Sequence, residues 1–194
     1  MSDAYMLASN KHGTPEDWGI IGSNSPEGAE NALNMMAPYL KITKNCGVNP
    51  GCFPDVVYKT LGGGNNPNYN TDNIRAKAIM ADGMLFAILA RSGDCTDSRG
   101  PSQILANTCA QILVDTNGAK PPNTLGLDTF YFYLSKYGVI PIGTQEDTFY
   151  TFPSSCDKSN SGKSNGCAAW ILFSGNMDYL HCNNLSWTGP TQCK

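Results

Sequence analysis

Apolar residues fall at helical spacing near the start of the chain and at a spacing of two further on. Residues Ser2 to Asn10 carry Ala4, Leu7 and Ala8 at i, i+3 and i+4, with Tyr5 and Met6 beside them. That pattern predicts a short helix with one narrow apolar stripe. Asn10, Lys11, His12 and Gly13 end it, Gly13 being able to take a left-handed cap. A loop around Trp18 follows. Ser25 as N-cap and Pro26 at the first helical position open a second helix. Ala29, Ala32, Leu33, Met36 and Leu40 carry that helix to about Lys44.

From Cys46 to Asn73 the pattern is irregular, with Pro50, Pro54 and the run Gly62-Gly63-Gly64, and reads as surface loop. The period then changes to two. Ala76–Met80 and Met84–Leu89 flank Asp82-Gly83, a strong hairpin signal. Gln111–Val114 is a third strand and Asp128–Leu134 a fourth, with Phe130, Phe132 and Leu134 on one face and Tyr131 and Tyr133 on the other. Phe149–Phe152 is a candidate short strand. Ala168–Phe173 is ambiguous between strand and helix, and the tail from Asn176 is loop-like around Tyr179 or Trp187. Helices first and antiparallel strands after predict an α+β fold of one domain, residues 1–194. The first helix is expected to lie on a sheet of about four strands, against Met84–Leu89 and Asp128–Leu134, with disulfide-closed loops towards the C-terminus.

Composition changes this picture in two ways. Only 15% of the 194 residues are charged and the net charge is −3, so the surface is polar but largely uncharged. Lys41 with Lys44 is too sparse a basic pair to track a phosphate backbone, and nucleic acid is not an expected partner. The eight cysteines, Cys46, Cys52, Cys95, Cys109, Cys156, Cys167, Cys182 and Cys193, form no C-x-x-C, which argues against zinc or thioredoxin-like chemistry. They fall into four neighbouring pairs. Eight cysteines allow about 105 complete pairings; proximity selects 46–52, 95–109, 156–167 and 182–193. Cys156, Cys167 and Cys193 lie among Ser, Asn, Gly and Thr, unlike core thiols, so an oxidising, secreted or cell-surface location is expected. Neither an export signal nor a transmembrane run is visible, so an N-terminal segment is expected to precede Met1-Ser2, which then reads as a cloning start.

Three segments together resemble the prepilin-type family, with its N-terminal cleavage/methylation segment, of type IV pilins and type II secretion pseudopilins. The first runs from Ala4-Tyr5-Met6-Leu7-Ala8 through Gly13 to Trp18. The second, Val114 to Phe130, resembles the family's D-x-N-G-x-x-x-P-N-x-x-G-x-D-x-F stretch through Asp115, Asn117, Gly118, Pro122, Asn123, Gly126 and Asp128. The third runs from Cys167-Ala168-Ala169-Trp170 through Asn176 to Cys182. The apolar N-terminal helix and its cleavage site are absent from these residues. The resemblance implies a structural subunit of an extracellular or periplasmic filament, a pilus or pseudopilus, acting through assembly surfaces and not catalysis. It also implies partner subunits of the same class and a full-length precursor held in the bacterial inner membrane. A secreted adhesin or glycan-binding module displayed at the cell surface is the alternative.

Candidate chemistry is thin. Asp115, Asn117 and Asp128 resemble a calcium loop, with oxygen ligands and Gly118 at the turn, and calcium binding is known among pseudopilins. The spacing is not an EF-hand, since Gly126 stands at the twelfth position. The other reading is that Asp and Asn cap turns through their own backbone. No other cofactor is expected. His181 beside Cys182 is not a useful nucleophile pair, and Glu27, Glu30, Glu146 and Asp147 stand in polar surroundings without a catalytic pattern. Trp170 and Trp187 read as core rather than sugar platforms. Gly62–Gly64 lacks the Lys-Ser/Thr of a phosphate loop.

Overall fold

The computed structural model describes residues 1–194. Six strands form one antiparallel meander: β1 (Ile42–Gly47), β2 (Arg75–Met80), β3 (Leu85–Ala90), β4 (Thr108–Asp115), β5 (Thr129–Ser135) and β6 (Gly138–Pro141), paired in chain order. Four helices accompany them: α1 (Ser2–His12), α2 (Pro26–Met36), α3 (Gln103–Ala106) and α4 (Cys167–Ser174). The sheet therefore has six strands and not the expected four.

The two unexpected strands are the edges. In β1 three consecutive residues, Thr43 to Asn45, are exposed, and its register with β2 is broken twice. In β6 only four residues pair, and Pro141 ends them. Neither shows the alternation by which a half-buried strand is read. The second helix stops at Met36 rather than Lys44. Pro38 lacks the N–H that an α-helix needs there, the chain tightens into a 3₁₀ turn over Ala37–Tyr39, and Ile42 and Thr43 enter β1. Phe149–Phe152 is not a strand. Ala168–Phe173 is helical, within α4, which closes on the left-handed Gly175.

The central strand β3 is buried along its whole length because the sheet is covered on both faces. On one face Phe86, Ile88, Ala110 and Ile112 meet Ala29, Ala32, Leu33 and Met36 of α2. On the other, Leu85, Ala87, Leu113, Tyr131 and Tyr133 meet Phe53, Tyr58 and Tyr69. The alternation read along β5 holds for Phe132 and Leu134 on the α2 side and the two tyrosines opposite, while Phe130 packs against the C-terminal cluster. The Cys46–Asn73 stretch is thus not merely surface loop; its aromatic residues are core. Lys77 of β2 anchors it. This fully buried lysine donates from Nζ to the carbonyls of Val48 at 2.9 Å, Asn70 at 3.1 Å and Asp72 at 2.6 Å. Arg75 adds an ion pair to Asp72 and lies over the Tyr69 ring.

Helix α1 does not pack on the sheet as expected. It lies against α2, the Ala37–Tyr39 turn and edge strand β6. Only Ala4 and Ala8 are buried, while Leu7 is 51% exposed and Met6 53% exposed. A single small-residue stripe lets the helix sit close without inserting Leu7. Tyr5 hydroxyl donates to the Lys136 carbonyl at 2.7 Å, and Lys136 pairs with Glu16, tying the helix to the β5–β6 turn. Leu7→Asp is therefore expected to change stability by less than about 0.5 kcal/mol, as for other exposed sites. A drop of several kcal/mol in urea unfolding would show that Leu7 inserts into the core.

Candidate functional site

The β4–β5 connection carries the most specific motif of the chain, and its polar residues converge. Asp115, at the end of β4, is buried; one carboxylate oxygen accepts from the Tyr58 hydroxyl at 2.6 Å, the other from the Asn117 N–H at 3.2 Å. Asp128, just before β5, accepts four hydrogen bonds. Oδ1 takes the Thr124 N–H at 2.6 Å and the Thr129 hydroxyl at 3.1 Å; Oδ2 takes the Asn123 N–H at 2.9 Å and the Asn117 Nδ2 at 3.0 Å. The structure thus brings together Asp115, Asn117 and Asp128, as a calcium loop would, and adds Asn123, Thr124 and Tyr58. Asp128 is filled by four donors, whereas each Asp115 oxygen accepts one hydrogen bond and the Asn117 and Asn123 Oδ1 atoms are enclosed without a partner. A cation using Asp128 as a ligand would have to displace donors from it. Nowhere do three or more His, Cys, Asp or Glu side chains gather in a group able to hold a metal ion. The arrangement closes a long turn: two positive-φ glycines, Gly118 and Gly126, reverse the chain, and Asp128 ties both ends of the reversal.

Burial pushes the Asp115 carboxyl up to about 6; the Tyr58 hydrogen bond opposes the shift and the Asp128 charge adds to it. Burial, then the same hydrogen bond, raises the Tyr58 hydroxyl. Because the folded carboxyl titrates above its ordinary value, folding takes up a proton between about pH 4 and 6. This contribution is fully present below about pH 4 and is lost as pH rises through 6. Wild-type stability is expected to lose about 2 kcal/mol from this group over that window, and Asp115→Asn to remove the loss. Parallel stability–pH curves for the two proteins would contradict it.

The four disulfides are Cys46–Cys52, Cys95–Cys109, Cys156–Cys167 and Cys182–Cys193, the sequence-neighbour pairs, and no cysteine is free. Cys95 and Cys109 are fully enclosed beneath the α2 side of the sheet. Cys156 and Cys167 are buried too, despite their polar sequence neighbours, because the C-terminal third builds its own small core with Phe152, Trp170, Tyr179 and Leu185. Four such bonds place the chain in an oxidising, extracellular or periplasmic compartment. No helix is long and apolar enough to cross a membrane.

Other candidates disperse. His181 is exposed and Cys182 is bonded to Cys193, so no nucleophile pair exists there. Glu30 accepts from the Val48 N–H; Asp147 is buried and holds the N–H groups of Phe149 and Tyr150. Both carboxylates organise loops. Trp170 is core, stacked on Phe152 with ring centroids 4.0 Å apart. Trp187 is only half-buried and faces a groove formed by α3, β6, α4 and the 144–146 turn. Sequence reasoning did not single out that groove; its residues come from four separated segments, and only the exposed pair Leu172-Phe173 within α4 marks it in the chain. No family model, curated protein or solved structure matches this chain.

Proposed function

We propose that the chain is the globular head of a structural subunit of an extracytoplasmic filament of the pilin class, acting through assembly surfaces and not through catalysis. The observation that carries this reading is the reversed dressing of α1. Its small residues, Ala4 and Ala8, face the fold, while its large apolar residues, Met6 and Leu7, face solvent. Tyr5 packs inward beside Trp18, and the adjacent Met6 and Leu7 of this eleven-residue helix offer an apolar surface for burial against neighbouring copies. The resemblance of the Ala4–Trp18 and Val114–Phe130 stretches to prepilin-type proteins points the same way.

A photo-crosslinking residue at position 7, introduced in cells producing the protein from its own gene, is expected to yield a ladder of crosslinked multimers. Met6→Glu is expected to abolish the ladder while leaving the fold intact. Crosslinking to nothing, or only to unrelated proteins, overturns the proposal.

A further inference from the structure

We propose that the groove lined by Phe173, Ser102, Gln145 and Glu146 binds a neutral carbohydrate, independently of whether the chain assembles into filaments. The groove encloses about 470 Å³, within the range of small-ligand sites. One wall is aromatic. Phe173 of α4 is 68% exposed, and its ring stands edge-on to Trp187, with centroids 6.1 Å apart. Trp187 is held in place: its indole N–H donates to the Gly143 carbonyl at 3.2 Å, and its ring packs on Trp170 and Phe152. The Phe173 face is thus mounted on a rigid aromatic stack. Leu105 and Ile140 add apolar lining.

The polar lining consists of Ser102, Thr144, Gln145 and Glu146. None of these four side chains makes a hydrogen bond or ion pair within the protein, and the Thr144 hydroxyl is enclosed without any partner. Their neighbours behave differently. Asp147 holds two backbone N–H groups, the Thr148 hydroxyl donates to the Arg99 carbonyl, and Asn176 bonds Trp170 and Thr191. These neighbouring polar groups are engaged in the fold; the Ser102, Gln145 and Glu146 side chains lining the groove are free.

That combination selects the ligand. An aromatic face takes the apolar side of a pyranose ring, and unengaged hydroxyl, amide and carboxylate groups take its hydroxyls. An aliphatic ligand or apolar peptide would cover Ser102, Gln145 and Glu146 without pairing them, which opposes binding. An acidic ligand would meet the Glu146 charge with no Lys or Arg in the lining.

Saturation-transfer NMR on the intact chain with lactose, N-acetyllactosamine, maltose and cellobiose tests the site. At least one is expected to receive saturation, with sialyllactose weaker. By calorimetry, Phe173→Ala and Glu146→Gln should each weaken binding at least tenfold. Leu172→Ala, next to the site, should leave it unchanged, and circular dichroism should show all three variants folded. Absence of transfer to all four neutral sugars overturns the proposal. So does transfer that survives Phe173→Ala, or tighter binding of sialyllactose. Self-association abolished by Phe173→Ala, with no sugar bound, assigns the groove to a second copy of the chain and overturns it too.

Discussion

Reducing the four disulfides is expected to abolish cooperative folding near physiological temperature. The bonds close short loops, with sequence separations of 6, 14, 11 and 11. Loop-closure entropy assigns each about 2–3 kcal/mol, and so about 10 kcal/mol together. A domain of this kind is stable by only about 5–15 kcal/mol, so losing all four removes most of that margin. The bonds are not equivalent. Cys95–Cys109 closes the longest loop and lies inside the core, whereas Cys46 is half-exposed at edge strand β1. The paired variant Cys95→Ala/Cys109→Ala should therefore cost more than Cys46→Ser/Cys52→Ser. Calorimetry with and without a phosphine reductant reads both effects. A midpoint that falls by only a few degrees on complete reduction would refute the claim that the bonds hold the fold.

Asp128→Ala is expected to be the most damaging single substitution in the β4–β5 connection, at about 3–5 kcal/mol. The carboxylate is the common acceptor for four donors. Removing it leaves the N–H groups of Asn123 and Thr124 without an acceptor, and Asn123 is itself buried. Each buried donor left unpaired costs about 1–3 kcal/mol, and hydrogen bonds to a charged acceptor stand at the upper end. Asp128→Asn keeps the shape but supplies only one acceptor oxygen, so an intermediate loss is expected. Urea unfolding of the three proteins checks the order. The same experiment bears on calcium. With Asp128 filled by protein donors, millimolar calcium is expected to leave the wild-type midpoint unchanged; a rise lost in Asp128→Ala would instead show a cation replacing those donors.

Local chemistry determined a good part of this protein in advance. Ser25 and Pro26 start α2, Asp82-Gly83 turns β2 into β3, and alternation along β5 separates Tyr131 and Tyr133 from Phe132 and Leu134. The disulfides follow sequence neighbourhood. Each of these signals acts within a few residues, where backbone preference and side-chain period decide the outcome. The convergence of Asp115, Asn117 and Asp128 was also legible, though not its closure by Tyr58, which comes from 57 residues earlier in the chain.

What the tertiary structure alone decided lies where distant segments meet. Edge strands β1 and β6 exist because β2 and β5 offer them hydrogen bonds, not because their own residues alternate. Leu7 sits at a core-like spacing yet faces solvent, because α1 leans on α2 and β6 through alanines. The Cys46–Asn73 segment reads as polar loop, but Lys77 gathers three of its carbonyls and its aromatic rings cover a sheet face. A lysine fits a core only where the fold delivers acceptors to it, and no spacing rule encodes acceptors 5, 7 and 29 residues away. The Phe173–Trp187 groove has the same origin: four separated segments supply its walls, and their meeting depends on burial and pairing elsewhere in the molecule.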